Sequence, residues 1–352
     1  MRGVPLWRRP RNSTTGQTEQ EPAGVKYRDF GRTGIRVSEI GFGAWALGGG
    51  WGPQSDDDSL AALDRAVDLG VNFIDTAAFY GNGRSEQIIG QLLKCRPEKL
   101  FVATKTPPAA GPWPPSPYCR AEDRYSESYL RENVDRRREM LGVDCIDLLQ
   151  LHTWTRAWNR SPRPLDTLRK LQAEGKIKYI GISTPEQDQN SVIDLMRRGY
   201  LDAIQVIYNI FEQEPAAELL PAAEECGVGV IVRVALDEGS LTGKYRRGHR
   251  FAPDDFRSKY FAGDRIDRTV ARVERMEADV APLLPADRRS MAEVALRFAL
   301  AHPAVSTVIA GIRNVAQAEA NTRVSDLDPL PEPVLLKLRE HAWLRGVWYS
   351  GK

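Results

Sequence analysis

Three ionisable side chains each close a short apolar run in this chain. Asp75 ends Val71-Asn72-Phe73-Ile74, Lys105 follows Leu100 to Thr104, and His152 follows Ile146 to Leu151. A carboxylate, an ammonium and an imidazole are the groups from which proton-transfer sites are made. Four more polar residues share the placement. Ser183 follows Tyr179 to Ile182, Gln205 lies inside Ala203 to Tyr208, Arg233 follows Val228 to Val232, and Arg313 lies just past Val308 to Gly311. Hydroxyl and amide groups hold polar ligands, and a guanidinium fork binds two oxygens of an anion at once.

The apolar runs read as buried strands near residues 39–43, 71–75, 100–104, 145–151, 178–183, 203–208, 228–234 and 306–310. Helical patterns separate them. Ser55-Asp56-Asp57-Asp58 opens a helix with a cap and acidic residues, which suit its positive N-terminal end. Ser85-Glu86 opens another, and others run over Tyr129–Leu141, Pro164–Glu174, Ser191–Arg198, Pro215–Cys226 and Met291–Ala301. Eight strands alternating with helices predict an α/β chain closed into a parallel (β/α)8 barrel, or TIM barrel. In that fold the C-terminal strand ends assemble the active site. An open doubly wound sheet would carry a glycine-rich fingerprint after its first strand. Here Gly41-Phe42-Gly43 is followed by no third glycine that opens a helix, and Gly48-Gly49-Gly50 runs into Trp51 and Pro53.

Ahead of the barrel, Val25–Phe30 and Ile35–Val37 flank Gly31-Arg32-Thr33-Gly34 and predict a β-hairpin. Three stretches depart from the alternation. They are the proline-rich Pro107–Cys119, the basic connection Asp237–Asp264, and residues 326–352, which add a final helix and Trp343, Trp348 and Tyr349. All three are expected on the surface.

The 352 residues suffice for one large barrel, and a formal net charge of +2 gives no reason to expect a nucleic-acid partner. No apolar stretch reaches bilayer-spanning length, so no membrane partner is expected. Cys95, Cys119, Cys145 and Cys226 are scattered, which suggests a reduced, cytoplasmic protein. None of His152, His249, His302 and His341 has a nearby cysteine or second histidine at ligand spacing, so no metal is expected. Residues 1–24 carry Arg2, Arg8, Arg9 and Arg11 before a Ser/Thr/Gln/Glu stretch and no apolar leader core. They read as a disordered tail, with residues 25–352 as a single barrel domain.

The run Asp75-Thr76-Ala77-Ala78-Phe79-Tyr80-Gly81, with Ala103-Thr104-Lys105 and Leu151-His152, resembles the aldo-keto reductases. So do Gly31-Arg32-Thr33-Gly34, Val37 to Gly43, and Leu241-Thr242-Gly243-Lys244. The resemblance runs from about residue 26 to about 322. It implies metal-free, NADP(H)-dependent reduction of an aldehyde or ketone to an alcohol, or the reverse. NADPH/NADP+ is then the cofactor, and a small-molecule carbonyl or alcohol the partner.

The resemblance makes Tyr80 the proton donor and Asp75, Lys105 and His152 its supporting group. The chemistry suits the residue types. Hydride delivery to carbon leaves negative charge on oxygen, which a donor must meet. A free phenol, with pKa ~10, holds its proton at neutral pH, and a nearby ammonium eases its release. By the same resemblance Ser183 and Gln205 hold the nicotinamide amide, although Thr184 stands where many relatives carry Asn. Arg233 takes the place of the ring that usually stacks on nicotinamide, or else pairs with Asp237 or Glu238. Gly311, Arg313, Gln317 and Asn321 match the adenosine end, with Arg313 suited to a 2′-phosphate; Ala320 stands where relatives often have an acid. The segment Asp237 to Lys244, including Gly239, is implied to cover the pyrophosphate. Trp45, Phe79, Trp113 and Trp154 are the substrate-pocket candidates. Two rivals stand beside this reading. One is a cofactor-binding regulatory subunit on the same fold, the other a barrel that uses Lys105 for Schiff-base chemistry.

Overall fold

The computed structural model describes residues 24–285, 287, 290–346 and 348. The expected tail, apart from Gly24, and Tyr349 lie outside the described residues. An antiparallel ribbon of β1 (Tyr27–Asp29) and β2 (Arg36–Ser38) opens the fold, as the hairpin pattern predicts. Eight strands follow: β3 (Ile40–Gly43), β4 (Phe73–Asp75), β5 (Phe101–Thr106), β6 (Ile146–Leu151), β7 (Ile177–Ser183), β8 (Ala203–Ile207), β9 (Gly229–Arg233) and β10 (Thr307–Gly311). They pair in chain order, and β10 closes against β3 to complete a parallel barrel.

Around it lie α1 (Asp56–Asp68), α2 (Arg84–Cys95), α3 (Ala121–Arg124), α4 (Glu127–Leu141), α5 (Arg163–Ala173), α6 (Ile193–Arg197), α7 (Leu219–Cys226), α8 (Arg257–Tyr260), α9 (Arg265–Val280), α10 (Met291–Leu300), α11 (Val315–Thr322) and α12 (Glu332–Arg339). The Ser55 side chain accepts from Asp58 N–H at 3.0 Å, the cap read from the sequence. Two helices come out shorter than expected. Residues 189–192 form a 3-10 turn before α6, and Pro215 lies in a 3-10 turn before α7. Helix α9 is an addition to the expected elements, and Ile266, Val270, Val273, Met276 and Val280 recur in it at helical spacing and are buried.

Strand side chains alternate between two cores. Phe73, Ala103, Leu148, Ala203, Ile231 and Ile309 point into the barrel with Phe30 of the hairpin turn, whereas Ile74, Val102, Leu149, Ile204, Val232 and Val308 pack outward under the helices. Phe30 lies tilted at 5.6 Å from Phe73 and edge-on at 5.4 Å from Phe101, so the hairpin stoppers the N-terminal mouth. Counting on by two from each inward residue reaches Asp75, Lys105, Gln150, Gln205, Arg233 and Gly311. The strand period alone therefore puts the chemistry inside the barrel, at its other end.

The C-terminal tail corrects an expectation. Trp343 and Trp348 are buried, packed 5.3 Å apart. Trp343 meets Phe211 at 5.6 Å and Trp348 meets Tyr260 at 5.5 Å. The aromatic residues of 251–261 supply an apolar lining that the tail covers.

One buried acid fastens α2 to the barrel. Glu86 accepts from Thr104 Oγ1 at 2.6 Å and ion-pairs with Arg137 of α4 at 2.8 Å. Burial, opposed chiefly by Arg137, pushes its carboxyl up to about 7. Because the folded value lies above the ordinary one, this group's stabilisation is complete below the unfolded pKa and is lost as pH rises through about 7. Glu86→Gln should therefore flatten the decline of stability between mildly acidic and neutral pH, by up to ~1.4 kcal/mol per pH unit. Denaturant unfolding across that range checks this; parallel curves for the two proteins would refute it.

Candidate active site

Lys105 occupies the centre of the C-terminal layer and is fully buried. Its ammonium donates to Asp75 Oδ1 at 2.5 Å, to the Thr76 carbonyl at 2.9 Å and to the Tyr80 hydroxyl at 3.2 Å. The second oxygen of Asp75 accepts from Gln205 Nε2 at 2.7 Å and Gln150 Nε2 at 3.2 Å. Four strands, β4, β5, β6 and β8, thus converge on one carboxylate. Tyr80 arrives on the turn after β4, whose backbone is tied to β5 by Thr76 N–H to Ala103 O at 2.8 Å and Ala78 N–H to Lys105 O at 3.2 Å. Gly48 lets the β3 loop approach this turn, since a Cβ there would lie 2.4 Å from Gly81 N.

Burial lowers the Lys105 pKa, but Asp75 and Tyr80 more than offset it, so the net shift is upward and the ammonium is kept at neutral pH. Tyr80 is raised, by burial first, against the pull of Lys105. It is a phenol at neutral pH. His152 lies well below its ordinary value because of burial and the positive charges of Lys105 and Arg233. It is a neutral imidazole, so one ring nitrogen donates and the other accepts. Its Nδ1 is buried without a partner among the described residues.

Aromatic rings wall the mouth. Phe79 lies 5.9 Å and Trp113 5.7 Å from the His152 ring, and Trp45 lies 4.9 Å from Tyr80. All three remain open, at 58%, 44% and 36% exposure. Arg124 holds the Trp113 loop by donating to Ala109 O at 2.8 Å and Pro112 O at 2.9 Å. Trp154 is a correction. It is fully buried, donates to Asn159 Oδ1 at 2.7 Å and packs 5.2 Å from Trp158 in the outer core. The 3-10 turn over Arg156–Arg160 that follows β6 supplies both partners and holds the ring in that core.

Ser183 and Gln205 are register partners on β7 and β8. Gln205 Nε2 gives one N–H to Asp75, which leaves its second N–H and its side-chain oxygen for a ligand. Thr184 turns its hydroxyl to Gln189 Oε1 at 3.2 Å and the Gln205 backbone carbonyl at 3.0 Å. Arg233 reaches across to the loop after β7. It donates to Glu186 Oε1 at 2.9 Å and Thr184 O at 3.2 Å.

Gly311 lies under Trp51, whose ring would meet an added Cβ at 2.3 Å. Arg313 donates to Trp51 O at 3.1 Å, Pro53 O at 2.8 Å and Gln54 Oε1 at 3.1 Å, and its N–H reaches Gln317 Oε1 at 2.8 Å. Arg257 lies 5.6 Å from the Trp51 ring. The Lys244 pKa is lowered by partial burial and then by Arg257 and Arg313. Asn321 is buried, with Nδ2 unpartnered among the described residues. Lys244, Arg257 and Arg313 lie near one another, Arg257 is paired with Asp255 and Glu238 accepts from Trp51 Nε1, and the net basic field fits a phosphate-bearing cofactor. Gln150, Glu186, Trp51, Gln54 and Arg257 were not singled out from the sequence. Only Gln150 had a signal, the inward register two residues before His152. No group of three or more metal-ligating side chains is present among the described residues.

Residues 39–342 match the model of the Aldo/keto reductase family. The chain is 30% identical to the aldo-keto reductase YhdN of Bacillus subtilis, over 86% of this chain and 89% of the relative. It is 29% identical to the NADH-specific methylglyoxal reductase of Escherichia coli, over 86% and 96%. Among solved structures, the holo form of the aldo-keto reductase AKR11C1 from Bacillus halodurans superposes with a TM-score of 0.71 at 28% identity, over 90% of this chain and 96% of that one.

Proposed function

Since the chain belongs to the aldo/keto reductase family, we propose that it reduces a small aldehyde or ketone with NADPH, and oxidises the alcohol in reverse. The observation that carries this reading is the Tyr80 hydroxyl, 3.2 Å from an ammonium whose counter-charge is fixed by two buried amides. A bound nicotinamide supplies hydride to the carbonyl carbon. Tyr80 then gives its proton to the carbonyl oxygen as charge builds there. Lys105 stabilises the phenolate that remains, and Asp75 keeps Lys105 aimed. Neutral His152 donates one N–H to orient the oxygen. Trp45, Phe79 and Trp113 exclude water and offer flat faces to the substrate.

A Schiff-base role for Lys105 is disfavoured, because its ammonium stays charged and holds three partners. No helix among the described residues is long and apolar enough to cross a membrane. The four cysteines are free, and a cytoplasmic location goes with this reading.

NADPH is favoured over NADH by the positive field of Lys244, Arg257 and Arg313. Loss of a charge-assisted hydrogen bond costs ~1.5–3 kcal/mol, so Arg313→Ala should weaken NADPH roughly 10- to 150-fold beyond any loss for NADH. Arg313 also braces residues 51–54, and that effect is common to both cofactors. Fluorescence titration with each cofactor gives the difference, and equal losses would remove Arg313 from the 2′-phosphate. Turnover of an aldehyde panel with NADPH tests the activity. Tight NADPH binding with no turnover would instead point to a regulatory subunit.

A further inference from the structure

Beyond β9 the chain enters a strained segment. Val234, Asp237 and Glu238 have φ of 58°, 47° and 53°. This left-handed region disfavours residues with a Cβ, and β-branched valine most of all. Such a backbone persists only where its surroundings hold it. Here the hold is the buried Asp237 carboxylate. It accepts from Ser240 Oγ at 2.5 Å, from the Tyr260 hydroxyl at 3.0 Å, and from both terminal nitrogens of Arg345, one of them at 3.0 Å.

Arg345 comes from the C-terminal tail, 108 residues further along the chain. Its side chain is 2% exposed. Its Nε reaches Glu212 at 3.2 Å, and its guanidinium lies 4.6 Å from the Trp348 ring and 5.3 Å from Trp343. A planar fork clamped between rings and two carboxylates is a rigid device, one that lysine could reproduce only in part.

The strained segment leads straight into the cofactor side. Glu238 accepts from Trp51 Nε1 at 3.3 Å, and its carbonyl accepts from the Tyr245 hydroxyl at 3.2 Å. Gly239 N–H donates to Leu236 O at 2.9 Å. We infer that Arg345 is a positioning residue for the cofactor: by clamping Asp237 it holds residues 234–244 in the shape that presents Gly239 and Lys244 to the phosphates. This rests on the reading of that segment given above. Without Arg345, a buried carboxylate retains two neutral donors against its full desolvation cost. The segment then relaxes toward ordinary backbone angles, and the Glu238–Trp51 contact goes with it.

The test uses the full-length chain as wild type, Arg345→Met, Arg345→Lys and Leu344→Ala, the last at a 97% exposed neighbour. NADPH affinity is read by fluorescence titration, and KM for cofactor and kcat by steady-state rates. Protection of residues 234–242 is read by hydrogen exchange. Arg345→Met should weaken NADPH roughly 10-fold, the size expected of a residue acting through another. KM for cofactor should rise accordingly, kcat at saturation should change little, and 234–242 should lose protection. Arg345→Lys should fall between Met and wild type, and Leu344→Ala should match wild type. A merely structural role would lower the melting temperature and leave affinity unchanged in the folded variant. Wild-type affinity in either folded Arg345 variant overturns the inference, as does a fall in kcat as large as the loss of affinity. If Arg345→Met is recovered only unfolded, Arg345→Lys decides by the same criterion. Failure of the wild-type chain to bind any nicotinamide cofactor would overturn the functional reading instead, an outcome separate from the others.

Discussion

Tyr80→Phe is expected to lower kcat for carbonyl reduction by ~10²–10⁴-fold, the usual cost of losing a general acid, while NADPH binds almost as before. The substitution removes one oxygen. It leaves the ring against Trp45, 4.9 Å away, so the mouth keeps its wall. Lys105 keeps Asp75 and the Thr76 carbonyl as partners, so no buried charge is orphaned and stability should hold. Two rates should therefore separate: hydride transfer falls, and cofactor exchange does not. Single-turnover NADPH oxidation with an aldehyde measures the first, and stopped-flow fluorescence the second. Full turnover in the variant would take the proton from another donor, and His152 would be the group to examine. It is held neutral by burial and by the charges of Lys105 and Arg233, so it has an N–H to give.

Lys105→Met should damage both chemistry and fold. The ammonium is the only cation bonded to Asp75 among the described residues, and Gln150 and Gln205 add neutral donors. Breaking a buried ion pair by removing one partner costs about 3–5 kcal/mol. Turnover should fall by ~10²–10³-fold or more, as when one preorganised electrostatic group is lost. A second change separates the two effects. Adding Asp75→Asn removes the stranded charge and should restore much of the stability, because contacting groups couple, but none of the activity. Denaturant unfolding of the single and double variants, with kcat for each, tests this. A Lys105→Met protein as stable as wild type would show that the carboxylate finds compensation elsewhere.

Much of the barrel was legible because its signals are short-range. Each strand is an apolar run, and the inward register follows from a period of two, so Asp75, Lys105, His152, Ser183 and Gln205 could be assigned to one end. The misreadings come from contacts that no local pattern encodes. Trp154 looks like a pocket ring from its nearness to His152, but its fate depends on Asn159 and Trp158. Glu186, 2.9 Å from Arg233, comes from a different loop, and nothing local in the sequence announces that pair. Asp237 in turn belongs to Arg345. Helix α9 was obscured by its many charges, although its apolar stripe was present.

Closure of the barrel has a consequence for how the chain is made. Val308 of β10 pairs with Ile40 of β3, and Phe30 of the hairpin seats against Phe73 and Phe101 from inside the ring. At ~5–20 residues per second, the N-terminal strand waits on the order of 10–50 s for its partner to emerge from the ribosome. Throughout that time β3 presents an unpaired edge, and the ring that encloses Phe30 stays open. An exposed strand edge templates association with other chains. Nascent chains stalled before residue 307 should therefore recruit holding chaperones and aggregate on release, whereas chains that have cleared β10 should not. The last strand to be synthesised decides when the first is safe.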